Sequence, residues 1–109
     1  MAKKPKEILF EQERFELKSK SGGGILSYEV YGYRERGVTV VTRYNLAYIN
    51  HALSSKDNGR VLGFDNAHGF HHRHFMGAVE PVTFTSYEAI SDRFEREWQE
   101  IIKRYRRKS

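Results

Sequence analysis

From Gly63 to Gly77 the chain reads G-F-D-N-A-H-G-F-H-H-R-H-F-M-G, and these fifteen residues hold four of its five histidines. His68, His71, His72 and His74 share the stretch with Asp65, Asn66 and Arg73. Imidazole is the one side chain whose ordinary pKa lies near neutrality, so such a cluster can exchange protons or ligate a metal. His72 and His74 are two apart. In a strand they share a face, with Cβ atoms roughly 6–7 Å apart, and His71 and Arg73 take the other face. Polarity does not say which face is inward, because Phe70 and Met76 lie with the first pair and Phe75 with the second.

Three chemistries compete for the pair. His72 and His74 can act as general acid and base on RNA, with Arg73 or Arg43 offsetting the charge that builds on the phosphorane; attack by the neighbouring 2′-hydroxyl needs no metal. The pair can instead bind a divalent ion, with Asp65, His68 or Glu80 as the near candidates for a further ligand. In the third reading each imidazole is structural and donates to a backbone carbonyl. The reading adopted assigns no metal and no cofactor.

The elements that must position these groups are legible in outline. Ile8 to Lys18 and Ile25 to Arg34 alternate apolar and polar residues, as strands do, around the flexible turn Ser21-Gly22-Gly23-Gly24. Val38 to Asn50 reads as a long third strand, after a polar turn that ends in Gly37. Asn58-Gly59 suits a tight turn, and Val61 to Phe64 starts a fourth strand. Asp65, Asn66 and Gly69 form the turn that follows: Asp and Asn bond their own backbone and glycine tolerates the left-handed region. Phe70 to Met76 is the expected fifth strand, and Pro81 to Thr85 a short extended piece. A helix from Ser86 to Arg106 is signalled by a capping box, with Thr85 as N-cap and Glu88 reaching back. Its apolar stripe is Ile90, Phe94, Trp98, Ile101, Ile102 and Tyr105, with Trp98 expected as the main anchor. The expected architecture is α+β: an antiparallel meander of about five strands with one long C-terminal helix packed on one face.

At 109 residues the chain is expected to form a single domain, 1–109, with room for one core. Its flanks are a flexible basic N-terminus at 1–6 and a basic tail at 104–109. Cysteine is absent, which leaves neither a disulfide framework nor a thiolate metal site. The start lacks the apolar region of a signal peptide, and no apolar run approaches the roughly 18 residues of a membrane span, so the expected location is cytoplasmic. A net charge of +5 is gathered partly at the ends, in Lys3, Lys4 and Lys6 and in Lys103, Arg104, Arg106, Arg107 and Lys108. Such ends attract polyanions by counterion release, and they also suit an acidic protein partner or a solvated helix end.

Val61 to Gly77 resembles the TumE family, the toxin half of TumE/TumA toxin–antitoxin modules. The likeness rests on the turn Phe64-Asp65-Asn66, on Gly69, on the strand with His72 and His74, and on the closing Gly77. Arg43-Tyr44-Asn45-Leu46-Ala47-Tyr48 resembles the family's third strand, and Pro81 to Thr85 with the Trp98 helix resembles its C-terminal third. The likeness spans about residues 40–102 and is weaker over the first two strands. It implies a toxin grouped with RelE/ParE-like proteins and paired with a helix-turn-helix antitoxin. RelE-type toxins cut messenger RNA and ParE-type toxins act on gyrase. By the family pattern His72, His74, Asp65 and Asn66 carry over, and His68 and His71 do not. Two departures stand out. Members commonly carry a basic residue where Gly63 stands, and this chain lacks the N-terminal helical hairpin typical of RelE.

The resulting expectation is a type II toxin that cleaves RNA, on the ribosome or free of it, with His72 and His74 catalytic. Arg43, Arg73, Lys103, Arg104, Arg106 and Arg107 are the expected nucleic-acid contacts. A non-catalytic module that binds nucleic acid or protein is the alternative, and homodimerisation is compatible with both.

Overall fold

The computed structural model describes residues 5–105. Six strands precede one helix: β1 (Ile8–Glu16), β2 (Ile25–Glu35), β3 (Val38–Ile49), β4 (Arg60–Asp65), β5 (His72–Phe75), β6 (Ala78–Pro81) and α1 (Tyr87–Tyr105). Each strand pairs antiparallel with its neighbour in the chain, so the spatial order is the sequence order. The architecture is therefore the expected α+β meander with a C-terminal helix against it.

The sixth strand and the ends of the fifth are where sequence and structure differ. β5 is only four residues long; Phe70 lies outside it and is largely exposed. The sheet resumes at Ala78, and Pro81 is the last residue of edge strand β6 rather than the first of an extended piece. Proline tolerates that place because an edge strand needs no donor on its open side. Two-residue turns join β2 to β3 and β5 to β6, with Arg36 and Gly37, then Met76 and Gly77, all at positive φ. That pattern matches the right-handed twist of the flanking strands.

Alternation sends Tyr28, Val30, Tyr44, Leu46, Tyr48, Leu62 and Phe64 toward α1, whose Ile90, Phe94, Ile101 and Ile102 complete the core. Phe94 is fully buried and meets Tyr28 and Phe64 edge-on, with ring centroids 5.6 and 6.3 Å away. Trp98 is only half-buried, and its indole N–H donates to Glu95 at 2.6 Å. Phe94, not Trp98, is thus the main anchor. The helix start also shifts by one residue: the Ser86 hydroxyl accepts from the Ala89 N–H at 3.0 Å, so Ser86 is the N-cap in place of Thr85. Among the described residues no helix is long and apolar enough to cross a membrane.

Candidate functional site

Strand register brings the site together. In the β4–β5 ladder Gly63 faces His74 and Asp65 faces His72, while Leu62 and Phe64 face Phe75 and Arg73. The first four residues therefore lie on the sheet face away from α1, and the second four lie toward it. His72 and His74 share a face as their spacing required, with ring centroids 6.1 Å apart.

Asp65 is the hub between them. Its carboxylate is largely buried, and Oδ1 accepts the Ala67 N–H at 3.2 Å, the turn-closing role expected for it. The same oxygen lies 3.5 Å from His72 Nδ1, and Oδ2 lies 2.8 Å from His74 Nε2. Asn66 ties the turn to β3: its amide oxygen accepts from the Tyr44 N–H at 3.0 Å and its amide nitrogen donates to the Thr42 carbonyl at 2.8 Å. Gly69 adopts φ +79° and His68 φ +60° in that turn, so His68 marks its exposed tip.

Two residues that the sequence reading did not single out complete the cluster. Arg60 places Nη2 3.0 Å from His74 Nδ1 and Nη1 3.6 Å from Asp65 Oδ2, and its Nε donates to Asp57 Oδ2 at 2.6 Å. A guanidinium can only donate, so His74 Nδ1 must be the unprotonated acceptor. The ring proton then sits on Nε2 and is given to Asp65. Arg60, His74 and Asp65 form one directed chain of hydrogen bonds, and both nitrogens of His74 are used within it. Arg60 and Gly63 would fall on opposite faces of a regular strand. A bulge, in which Tyr48 pairs with Leu62 and Ile49 with Arg60, turns Arg60 onto the site face. A Cβ on Gly63 would stand 2.7 Å from Arg60 Cδ, so the glycine makes room for the arginine stem.

His72 differs from His74. It is partly exposed, and its Nε2 has no hydrogen-bond partner among the described residues. The Phe70 ring, 67% exposed, lies 6.1 Å from the His72 ring.

Of the expected cations among the described residues, only Arg43 belongs to this face. It pairs with Glu7 at 3.1 Å, lies over the Tyr31 ring at 4.0 Å, and lines a cleft of about 170 Å³ with Asn45 and Asp65. Arg73 is on the helix side, bound to Glu97 at 2.7 Å and Glu80 at 3.2 Å, and is not brought to the histidines. Arg104 lines a separate cavity of about 510 Å³ with Arg73 and Arg96, and Lys103 lies at the exposed end of α1. Arg106 and Arg107 lie outside the described residues. His71 is also on the helix side, stacked on Phe84 at 4.0 Å and 2.8 Å from the Tyr44 hydroxyl. Burial, with the Asp65 charge adding to it, pushes the Tyr44 phenol up to about 12, which keeps it a neutral partner for His71.

Comparison of the chain with models of known protein families, with curated proteins and with solved structures returned no match. The chemistry must be read from the geometry: a carboxylate bonded to one imidazole lies 3.5 Å from a second, whose outer nitrogen has no partner among the described residues, beside an arginine and an exposed aromatic residue.

Proposed function

We propose that this chain is an RNA-cleaving toxin of a toxin–antitoxin pair, acting in the cytoplasm through His72 and His74. The observation that carries the proposal is that His72 Nε2 has no hydrogen-bond partner among the described residues, while the ring's other nitrogen lies 3.5 Å from the buried Asp65 carboxylate. A carboxylate behind an imidazole fixes its orientation and favours the imidazolium formed when the ring takes a proton. His72 takes the proton of a 2′-hydroxyl as that oxygen attacks the adjacent phosphorus. The substrate phosphate draws Arg60 away from His74 Nδ1, that nitrogen takes up a proton from solvent, and the resulting imidazolium gives it to the leaving 5′-oxygen. Arg60 then sits against the equatorial oxygens of the phosphorane, where a fixed cation acts most strongly. It also supplies the cation absent at Gly63, because its side chain lies across that glycine. Phe70 offers a nucleobase a face to stack on, a contact worth about 1–3 kcal/mol per base. The toxin setting, and the helix-turn-helix antitoxin that goes with it, rest on the resemblance to the TumE family.

One observation favours the non-catalytic alternative: both nitrogens of His74 are satisfied inside the fold, as in a structural histidine. Induced expression in a bacterial host separates the two. Growth arrest that is lost in a folded His72→Ala variant, and relieved by co-expressing a helix-turn-helix gene adjoining this one, supports the toxin. Undiminished arrest by His72→Ala, or no arrest by the parent chain, contradicts it.

A further inference from the structure

Asp65, His72 and His74 each present one ligand atom, and the three lie within 4.8 Å of one another. Tetrahedral zinc, with bonds near 2.0 Å, sets its ligand atoms about 3.3 Å apart. The Asp65 carboxylate already stands close to that spacing from both rings, through a different oxygen for each: 2.8 Å from Oδ2 to His74 Nε2 and 3.5 Å from Oδ1 to His72 Nδ1. A single carboxylate oxygen and the two ring nitrogens all lie within 4.8 Å of one another, at most about 1.5 Å beyond that spacing. Two imidazoles with one carboxylate suit a first-row transition ion, whereas magnesium and calcium prefer oxygen throughout. We infer that Asp65, His72 and His74 bind one divalent ion of the zinc class, with its remaining position open to water.

A second observation supports the site. A metal-bound histidine usually donates its other ring N–H to a carboxylate, which fixes the tautomer. With an ion on Nε2, the His74 proton moves to Nδ1, so the ring stays neutral. Asp57 Oδ2 lies 4.0 Å from that nitrogen. Asp57 is therefore the outer carboxylate of the site. Arg60 must leave Nδ1 when the ion binds, since it cannot accept the new proton and two cations would crowd Asp65. In the metal-free state its guanidinium balances the Asp65 charge. Arg60 and the ion are alternative occupants, and binding the ion takes both imidazoles out of acid–base work.

The inference stands on geometry and does not need the ribonuclease reading, so the test reads metal alone. Cobalt(II) is titrated into the purified full chain while its visible absorption is followed, and zinc is then added in competition. The expected result is a saturable cobalt spectrum at one equivalent, displaced by zinc. Asp57→Asn should weaken binding about 10–100-fold, and His72→Ala or Asp65→Ala at least as much. His71→Ala should leave it unchanged, and Arg60→Met should tighten it. The tightening cannot come from misfolding, and circular dichroism checks the weakened variants. Absence of a cobalt spectrum in the parent chain overturns the site, as does parental affinity in His72→Ala or weaker binding in Arg60→Met.

Discussion

Replacing Asp65 with asparagine tests the hydrogen-bond chain at its most constrained point. The exchange preserves shape and turns one acceptor oxygen into a donor. If the asparagine oxygen stays on the Ala67 N–H, its amino group meets the Nε2–H of His74; if the amide flips, it meets the Ala67 N–H instead. His74 cannot escape by moving its proton to Nδ1, because the Arg60 donor stands there at 3.0 Å. One part-buried donor loses its partner in every arrangement, at a cost of about 1–3 kcal/mol. The lost attraction to Arg60, whose Nη1 stands 3.6 Å from Oδ2 without a hydrogen bond, adds little, so about 2–3 kcal/mol is expected. That is a large share of the roughly 5–15 kcal/mol of a small domain. The substitution that looks harmless from sequence, where Asp65 only closes a turn, is therefore damaging. Adding Arg60→Met should relieve it, because His74 can then carry its proton on Nδ1, toward Asp57 at 4.0 Å. In a urea-denaturation double-mutant cycle the pair should be less destabilised than the sum of the single variants, by about 0.5–3 kcal/mol. Nitrogen NMR shifts of His74 should report the Nε2–H tautomer in the parent and Nδ1–H in the double variant. Strict additivity with an unchanged tautomer would refute the directed chain.

Other consequences of the fold are open to the same kinds of measurement. Phe94→Ala should cost about 3–5 kcal/mol in chemical denaturation, and half-buried Trp98→Ala clearly less; the reverse order would return the anchor role to Trp98. Tyr44, pushed up to about 12 in the folded chain against an ordinary value near 10, contributes stability below pH 10 that is lost as pH rises through 12. Denaturation midpoints should accordingly fall across that window, and Tyr44→Phe should flatten part of the fall. Gly32→Ala should disrupt the β2–β3 pairing, because the new Cβ would stand 1.9 Å from the Val40 carbonyl oxygen, and a wild-type melting temperature would contradict that crowding. Arg73→Met should reduce stability by breaking the ties to Glu97 and Glu80, yet leave RNA cleavage per folded molecule close to parental.

Period-two alternation and the helical stripe made the meander and its helix legible, because each face of those elements meets one environment along its length. Strand ends were less so. Pro81 reads as a break, and only the edge position of β6 lets a strand end on it. The expected capping box did not form: Ser86 caps the Ala89 N–H in place of Thr85, which puts Glu88 one position too early to reach back. Two-residue spacing correctly put His72 and His74 on one face and Arg73 on the other. It left open which face was buried, so Arg73 was expected near the phosphate although it is tied to Glu97 across the sheet. Arg60 and Asp57 were invisible for a different reason. A one-residue bulge reverses the face of Arg60, and nothing local in the sequence marks it. Asp57 arrives through a loop whose backbone passes through the left-handed region at Asp57, Asn58 and Gly59.

The central claim, that His72 beside the Asp65 carboxylate transfers protons at a phosphodiester, is tested most directly by RNA cleavage with purified protein. Parent chain and a folded His72→Ala variant are compared on the same RNA, with and without ribosomes and in the presence of chelator. The reading predicts cleavage by the parent that survives chelator and a loss of about 10²–10⁴ in rate for the variant. Equal rates for the two proteins, or activity that disappears with chelator, would contradict it.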